Sequence, residues 1–408
     1  MPIPEPQSDR TAYGGLGGWL AAWGAIAFAA LSPVSYAGAQ IACGASLLGL
    51  LLAFATGRLR YRPTPLDLPL LLFVGAELLS IVFSVHPARS LRCLRGDWIL
   101  LFYPVFSQSL RRSRDVRRSF NALLVTSSIV ASYSLWQMFT GKDLLRHRPL
   151  EPIGHWFIAT GLFGHHLTYG GHVLITATAA LALLVGARGA PAIALRTGSL
   201  ALQLCGMLAS FARTAWVGLI GGIAGMALAA RGSARRLAVG LLSLLAAAAI
   251  ALLPIRARLS SVLALHDEPR IRLWRTAIRI WKDHPIFGAG LGSFKTLFPI
   301  YKVPGTYMAT GHPHNDALNI LVHSGILGLM TFAFIWVRYF RFVGGTRRHV
   351  SPQDPRNPLL LAGVLVPIAF FVGAMGQCFL TDEEVGTLFW FVVASSVAVA
   401  REVRDDRV

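Results

Sequence analysis

Charge is scarce in this chain, and acidic charge is scarcest. Only 14% of the 408 residues are Asp, Glu, Lys or Arg, against roughly 25% in a soluble domain. Apolar residues make up 54% and the mean hydropathy is +0.56. A soluble fold could not cover that much apolar surface with so few charges, and disorder and collagen-like structure are excluded as well. The four cysteines, Cys43, Cys93, Cys205 and Cys378, are scattered and lack metal-ligand spacing, so neither a disulfide framework nor a zinc site is expected. There is no internal repeat and no low-complexity linker, so residues 1–408 read as one membrane domain. Asp and Glu number 19 against 38 Lys and Arg, a net charge of +19. In a soluble protein that excess would suggest nucleic acid; in a multi-pass membrane protein it need not, and nothing else here supports a nucleic-acid partner.

A membrane span needs about 20 mainly apolar residues. Such runs lie near 14–33, 36–56, 66–85, 95–110, 119–140, 166–187, 192–211, 214–230, 236–254, 315–338, 358–380 and 385–400. The expected fold is therefore all-α and polytopic, with about twelve transmembrane helices. No basic segment precedes the first run, so it reads as a retained span rather than a signal peptide. Arginines cluster in alternate loops, at Arg58, Arg60 and Arg62, at Arg111 to Arg118, at Arg231 to Arg236, at Arg338 to Arg356 and at Arg401 to Arg407. The positive-inside tendency places these, and both termini, in the cytoplasm. The opposite side then holds 86–97, 141–165, 255–313 and 381–384. The longest of these, 255–313, lies between the ninth and tenth spans and is expected to form a structured periplasmic loop. Within it Ile271, Trp274, Ile278 and Trp281 recur at helical spacing, interleaved with Arg272, Arg275, Arg279 and Lys282. That pattern predicts an amphipathic helix lying along the membrane surface.

The densest polar constellation is GHPHNDALNILVHSGILGLM, residues 311–330. His312, His314, Asn315 and Asp316 sit where the chain leaves a Gly/Pro loop and enters a span. A helix N-terminus there would favour a phosphate oxygen. Asn315, Asn319 and His323 form one polar stripe, while Gly325 and Gly328 permit close helix packing. The plainer alternative is helix capping by Asn315 and Asp316. SFARTAWVG, residues 210–218, puts Arg213 in a short outward turn, either against an anion or as an interface anchor. Arg270, Arg272, Arg275 and Arg279 are suited to bidentate phosphate recognition or to a headgroup face. Arg89, Arg92 and Arg95, and also Arg146 and Arg148, lie in other outer loops, where binding and simple solvation are both open. His165, His166 and His172 fall at the mouth of the sixth span. Glu77 is an intramembrane acid. Asp382 and Glu384 could hold a divalent ion, but complementing a helix dipole is the simpler reading.

His314-Asn315, nine residues, Gly325, two residues and Gly328 resembles the signature of the O-antigen ligase family and its wider relatives, the O-antigen polymerases and the bacterial protein O-oligosaccharyltransferases. SFARTAWVG around Arg213 and PRIRLWRTAIRIWKDHPIFGAGLGSF beginning at Arg270 match the same superfamily. Ala212 departs from the Ser that ligases often carry before the motif arginine. The resemblance implies a glycosyltransferase C-type-like membrane fold and an inverting, metal-independent glycosyltransferase without cofactor, in the bacterial inner membrane with its active site facing the periplasm. The donor would be a glycan on undecaprenyl diphosphate and the acceptor a sugar hydroxyl of lipid A–core, with membrane lipids around both. His314 would be the base or an acceptor-orienting group, and Arg213 and Arg270 a diphosphate clamp. Asn315, His312, Arg272, Arg275, Arg89, Arg148 and His165 would contact substrate. A polymerase or a protein O-oligosaccharyltransferase using the same donor stays open, as does a transporter of an anionic lipid or solute.

Overall fold

Among the described residues the apolar runs of the sequence fall largely in helix. The computed structural model describes residues 13–229, 232–251, 268–304 and 311–407. The first helices are α1 (Leu16–Leu31), α2 (Tyr36–Ala55), α3 (Asp67–Val82) and α4 (Pro87–Cys93). A 3-10 segment (Leu94–Leu101) then leads into α5 (Phe102–Ser109) and α6 (Ser113–Thr140). Two small antiparallel ribbons follow, β1 (Lys142–Asp143) with β2 (Arg148–Pro149), and β3 (Pro152–Ile153) with β4 (Trp156–Phe157). The chain continues through α7 (His166–Val185), α8 (Ala190–Ala209), α9 (Arg213–Ala229) and α10 (Gly232–Ala251). The last five helices are α11 (Glu268–Asp283), α12 (Ser293–Tyr301), α13 (Asp316–Arg348), α14 (Asn357–Ala374) and α15 (Glu383–Asp405).

Among the described residues seven helices are long and apolar enough to cross a membrane: α2, α6, α7, α8, α13, α14 and α15. That is fewer than the twelve runs read from the sequence. Helices α1 and α9 are apolar but shorter, and α3 has 16 residues. The run at 95–110 is not one helix, because the chain turns from the 3-10 segment into the eight-residue α5. The run at 358–380 also ends early, at Ala374, and residues 375–382 form a connection to α15. The first part of the expected 255–313 loop, with 305–310, lies outside the described residues. The remainder forms α11, α12 and a glycine-rich turn between them.

Small residues set the closest helix contacts, as expected where lipid removes the hydrophobic drive for association. A β-carbon built on Gly24 would lie 2.6 Å from the Ser46 backbone nitrogen, so α1 and α2 meet backbone to backbone. On α9, one built on Gly218 would lie 2.7 Å from the Ala369 carbonyl oxygen of α14. Larger side chains fill the centre, where Phe370 stacks on Phe389 at 3.8 Å and Trp336 lies against Phe371 and Trp390.

Helix α13 is broken at Gly325, whose φ is 64° and ψ −161°. The turn from Pro285 to Gly290 plugs into the break. Ile326 and Leu327 donate to the carbonyls of Pro285 and Ile286, while Ala289 and Gly290 donate to those of Val322 and His323. The peptide groups that the break releases are thereby satisfied. The sequence suggested that Gly325 lets a neighbouring helix approach; what approaches is this turn. A β-carbon at 325 would lie 2.3 Å from the Ile286 oxygen, in a backbone conformation that disfavours L-residues. Gly325→Ala is therefore expected to destabilise the protein by about 2 kcal/mol or more. Gly344→Ala, in the same helix with nothing near its added methyl, should leave the melting temperature unchanged or raise it slightly. Thermal unfolding of both variants in detergent checks this, and equal midpoints would contradict it.

In α11 the buried apolar residues are Leu273, Ala277 and Ile280, packed with Phe294, Leu297 and Phe298 of α12 and Val322 of α13. The predicted row of Ile271, Trp274, Ile278 and Trp281 is not this row. It flanks the core-facing one and stays partly exposed. The reason is the third row, Leu273–Ala277–Ile280, which offers smaller side chains for close contact and a continuous apolar ridge.

Most arginines of the alternate loops gather at one end of the bundle. Arg62 pairs with Asp405 at 3.6 Å, Arg111 donates to the Arg60 carbonyl, Arg117 to that of Pro355, and Arg356 bridges Asp354 and Asp406. The candidate site forms at the other end.

Candidate active site

Four helix N-termini meet at this second end: those of α7, α9, α13 and α15. Each exposes backbone N–H groups and a partial positive charge. Side chains cap three of them. His165 Nδ1 accepts from Leu167 N, Asn315 Oδ1 from Leu318 N and Asp382 Oδ1 from Val385 N. Cross-links then draw the ends together. Thr168 donates to Asp382 Oδ2 at 2.6 Å, joining α7 to α15. Buried Asp316 accepts from the backbone nitrogens of Phe379 and Leu380 at 3.1 and 3.0 Å, and Asn315 donates to the Met375 carbonyl at 3.0 Å. All three bonds tie the 375–382 connection to the start of α13. His166 Nδ1–H donates to the Ser210 carbonyl, joining α7 to the segment that carries Arg213.

His314 sits at the centre of this junction, half-buried, with a left-handed φ of 53°. Its Nδ1 lies 2.5 Å from Gln377 Oε1. An amide oxygen only accepts, so Nδ1 carries the proton and Nε2 is left as the basic nitrogen of the ring. The His312 ring meets the His314 ring edge to face at 4.5 Å. Burial, and then the neighbouring His314, push His312 down to about 4, so it is neutral near pH 7. His165 is also pushed below the ordinary imidazole range, by burial first and then by His166 and Arg148; His314 acts on it as well, which places both in one electrostatic neighbourhood.

Arg270, near the start of α11, reaches the same connection. A β-carbon built on Gly376 would lie 3.5 Å from its guanidinium and 2.7 Å from the Thr214 side chain. Gly376 thus lets Arg270, the residue after Arg213 and the residue before Gln377 come together. Arg213 itself opens α9 and is exposed. Arg272 and Arg275 stand on other sides of α11 from Arg270. At about 100° per residue they point well away from it around α11, and Arg275 is exposed. Arg148 is half-buried, lies 3.4 Å from Asp143 and donates to the Gly164 carbonyl. Arg89 is on α4, outside this junction. His172 is buried one turn and a half into α7 against Phe163, not at the mouth of the span. Both Asp382 oxygens are engaged, and among the described residues no group of three or more His, Cys, Asp or Glu is placed to hold a metal ion.

Below the junction a narrow cavity of about 70 Å³ enters the bundle, lined by Glu77, Asp316, Asn319, His323, two hydroxyl residues and apolar side chains. The polar stripe of α13 faces into it, together with the acid of α3.

Two parts of the site escaped the sequence reading. Gln377 was absorbed into an apolar run, although an amide in such a run needs a partner and was a usable signal. The cross-links of Asp316 and Thr168 depend on contacts between helices distant in the chain, and no local pattern marks them.

Residues 198–333 match the family described as O-antigen ligase. That segment is of the O-antigen ligase family. It contains Arg213, Arg270, His312, His314 and Asn315, and ends in α13 just past the break at Gly325. No match is found among curated proteins. The family segment and the apolar helices together support a multi-pass membrane protein with glycosyl transfer of the O-antigen ligase or polymerase type.

Proposed function

We propose that this protein is an O-antigen ligase. It moves a glycan from undecaprenyl diphosphate to a sugar hydroxyl of lipid A–core, without a metal ion and with inversion, at the periplasmic face of the inner membrane. The observation that carries the reading is the His314–Gln377 pair beside Arg270, where the N-termini of four helices converge. The acceptor hydroxyl is a weak nucleophile. His314 Nε2 takes its proton while the hydroxyl oxygen attacks the anomeric carbon from the face opposite the leaving group. The bond from that carbon to the diphosphate oxygen breaks, and the charge left on the diphosphate is held by Arg270 and Arg213 and by the helix N-termini. Direct displacement inverts the anomeric centre. Asn315 keeps His314 in place by fastening the start of α13 to Met375.

The test is a purified-protein assay that offers the lipid-linked glycan with lipid A–core, with lipid-linked repeat units or with an acceptor protein, each separately. Glycan is expected on lipid A–core alone. Product on the repeat units would make the protein a polymerase, and product on the protein an O-oligosaccharyltransferase. EDTA should leave the rate unchanged; a loss that a divalent ion restores would assign metal binding to Asp382 and Glu384.

A further inference from the structure

A second cavity at this end lies away from the His314 junction. It has a volume of about 690 Å³ and lies between α4 with its 3-10 extension and the start of α15, lined by Arg89, Arg92, Arg95, Trp98 and Glu383. The three arginines are spaced three apart, which puts them on one side of a helical segment. Such like charges repel unless an anion lies among them. Yet among the described residues none of the three forms an ion pair. Arg89 Nε is buried and has no hydrogen-bond partner. Among the described lining side chains the acid is Glu383, which accepts from the Tyr36 hydroxyl at 2.5 Å.

The platform beneath the arginines is fixed. Ser90 donates to the Leu291 carbonyl, Ser84 to that of Ala289, and the Val85 nitrogen also donates to Ala289. The glycine-rich turn that plugs the break in α13 therefore also seats α4. Guanidinium forks stay charged at any working pH and match phosphate oxygens in pairs. Trp98 adds an aromatic face of the kind that packs against the C–H face of a pyranose. Leu91 and Leu101, exposed at 59% and 61%, flank the arginines with apolar surface suited to acyl chains.

We propose that this groove binds the phosphates of a phosphorylated glycolipid, the acceptor, and that Arg89, Arg92 and Arg95 hold it while Trp98 packs against its sugar. The inference rests on the glycosyl-transfer reading and adds where the acceptor is anchored. Gln377, which orients His314, lies in the 375–382 connection, and Glu383, which borders the groove, follows that connection at the start of α15. An acceptor anchored at the arginines extends its sugars along that connection toward His314.

The test is binding, without turnover, by the full-length protein in phosphatidylcholine nanodiscs. The probes are fluorescent bis-phosphorylated lipid A, its phosphate-free counterpart and phosphatidylglycerol. The wild type should bind the phosphorylated glycolipid about tenfold or more tighter than the phosphate-free one, and the Arg92→Gln/Arg95→Gln double variant should lose most of that difference. Both substituted side chains are exposed, so folding should survive, and an unchanged melting temperature would confirm it. Inorganic phosphate should displace the phosphorylated probe from the wild type, a measurement that needs no variant. Equal affinity for the two glycolipids, a double variant that binds like the wild type, or no displacement by phosphate would overturn the proposal. Phosphatidylglycerol competing as well as the glycolipid would reduce the groove to a general headgroup contact and overturn it too. A wild type that binds the glycolipid but transfers nothing would remove the glycosyl-transfer reading alone. Transfer by the double variant with an unchanged KM for the phosphorylated acceptor would remove the groove alone.

Discussion

His314→Ala should lower glycan transfer by about two to four orders of magnitude, the range associated with losing a positioned general base, while the protein still inserts and melts normally. The side chain is half-buried, bonds Gln377 and is not part of either apolar core cluster, so removing it exposes no core. Gln377 sharpens the expectation. It touches no reacting atom in the proposed mechanism and acts as a positioning residue, fixing which ring nitrogen of His314 is basic. Gln377→Ala leaves the ring free to change tautomer and to rotate, and kcat should fall by about ten- to a hundredfold. Gln377→Glu retains an acceptor for Nδ1–H and adds negative charge beside the ring. A carboxylate favours the imidazolium, so the His314 pKa rises and the ascending limb of kcat/KM moves to higher pH. A purely structural role for Gln377 would lower stability without moving that limb. Transfer by His314→Ala at the wild-type rate would remove His314 from the chemistry.

How far the sequence reached is clearest in α13. Its start was legible, because Asn315 precedes an apolar run and caps it, with the side chain on Leu318 N. The polar stripe of Asn319 and His323 follows from helical spacing alone and does line a cavity. The break at Gly325 was not legible. A glycine in a helical run reads as close packing, and only the arrival of Pro285–Gly290, some forty residues earlier in the chain, shows the helix opening to admit another segment's peptides. The amphipathic character of α11 was legible, but which row faces the core was not. Bulk and hydropathy favour the Trp and Ile row, while packing against α12 and Val322 selects Leu273, Ala277 and Ile280. Span lengths erred for a related reason. Residues 375–380 are apolar enough to continue α14, but the chain leaves the helix there so that Gly376 can meet Thr214 and Gln377 can meet His314. Hydropathy records the surroundings of a residue and carries no information on whether its backbone is straight.

Arg270→Lys should cost about two orders of magnitude in kcat, and Arg270→Ala more, because the group acts where charge develops. In the proposed reaction the diphosphate gains charge as the anomeric bond breaks, and a planar fork can meet two of its oxygens at once. An ammonium keeps the charge but offers a single point and a different reach. The loss should therefore fall mainly on kcat rather than on the KM for the lipid-linked donor, since an interaction that strengthens in the transition state shows in turnover. Position matters as much as charge. Arg270 approaches Gly376 and Thr214, whereas Arg279 is exposed on another face of α11. Arg279→Lys should accordingly leave kcat within about twofold, as expected of a surface substitution. Gly376→Ala tests the same contact from the other side, because the added methyl would stand 2.7 Å from Thr214 and 3.5 Å from the Arg270 guanidinium. It should lower kcat in the same direction as Arg270→Lys, and the double variant should lose less than the product of the two single losses, as residues sharing one contact do. Steady-state kinetics on the four proteins decide the matter. If Arg270→Lys turns over like the wild type, or if the Gly376 and Arg270 losses simply multiply, Arg270 does not hold the leaving diphosphate beside the 375–382 connection.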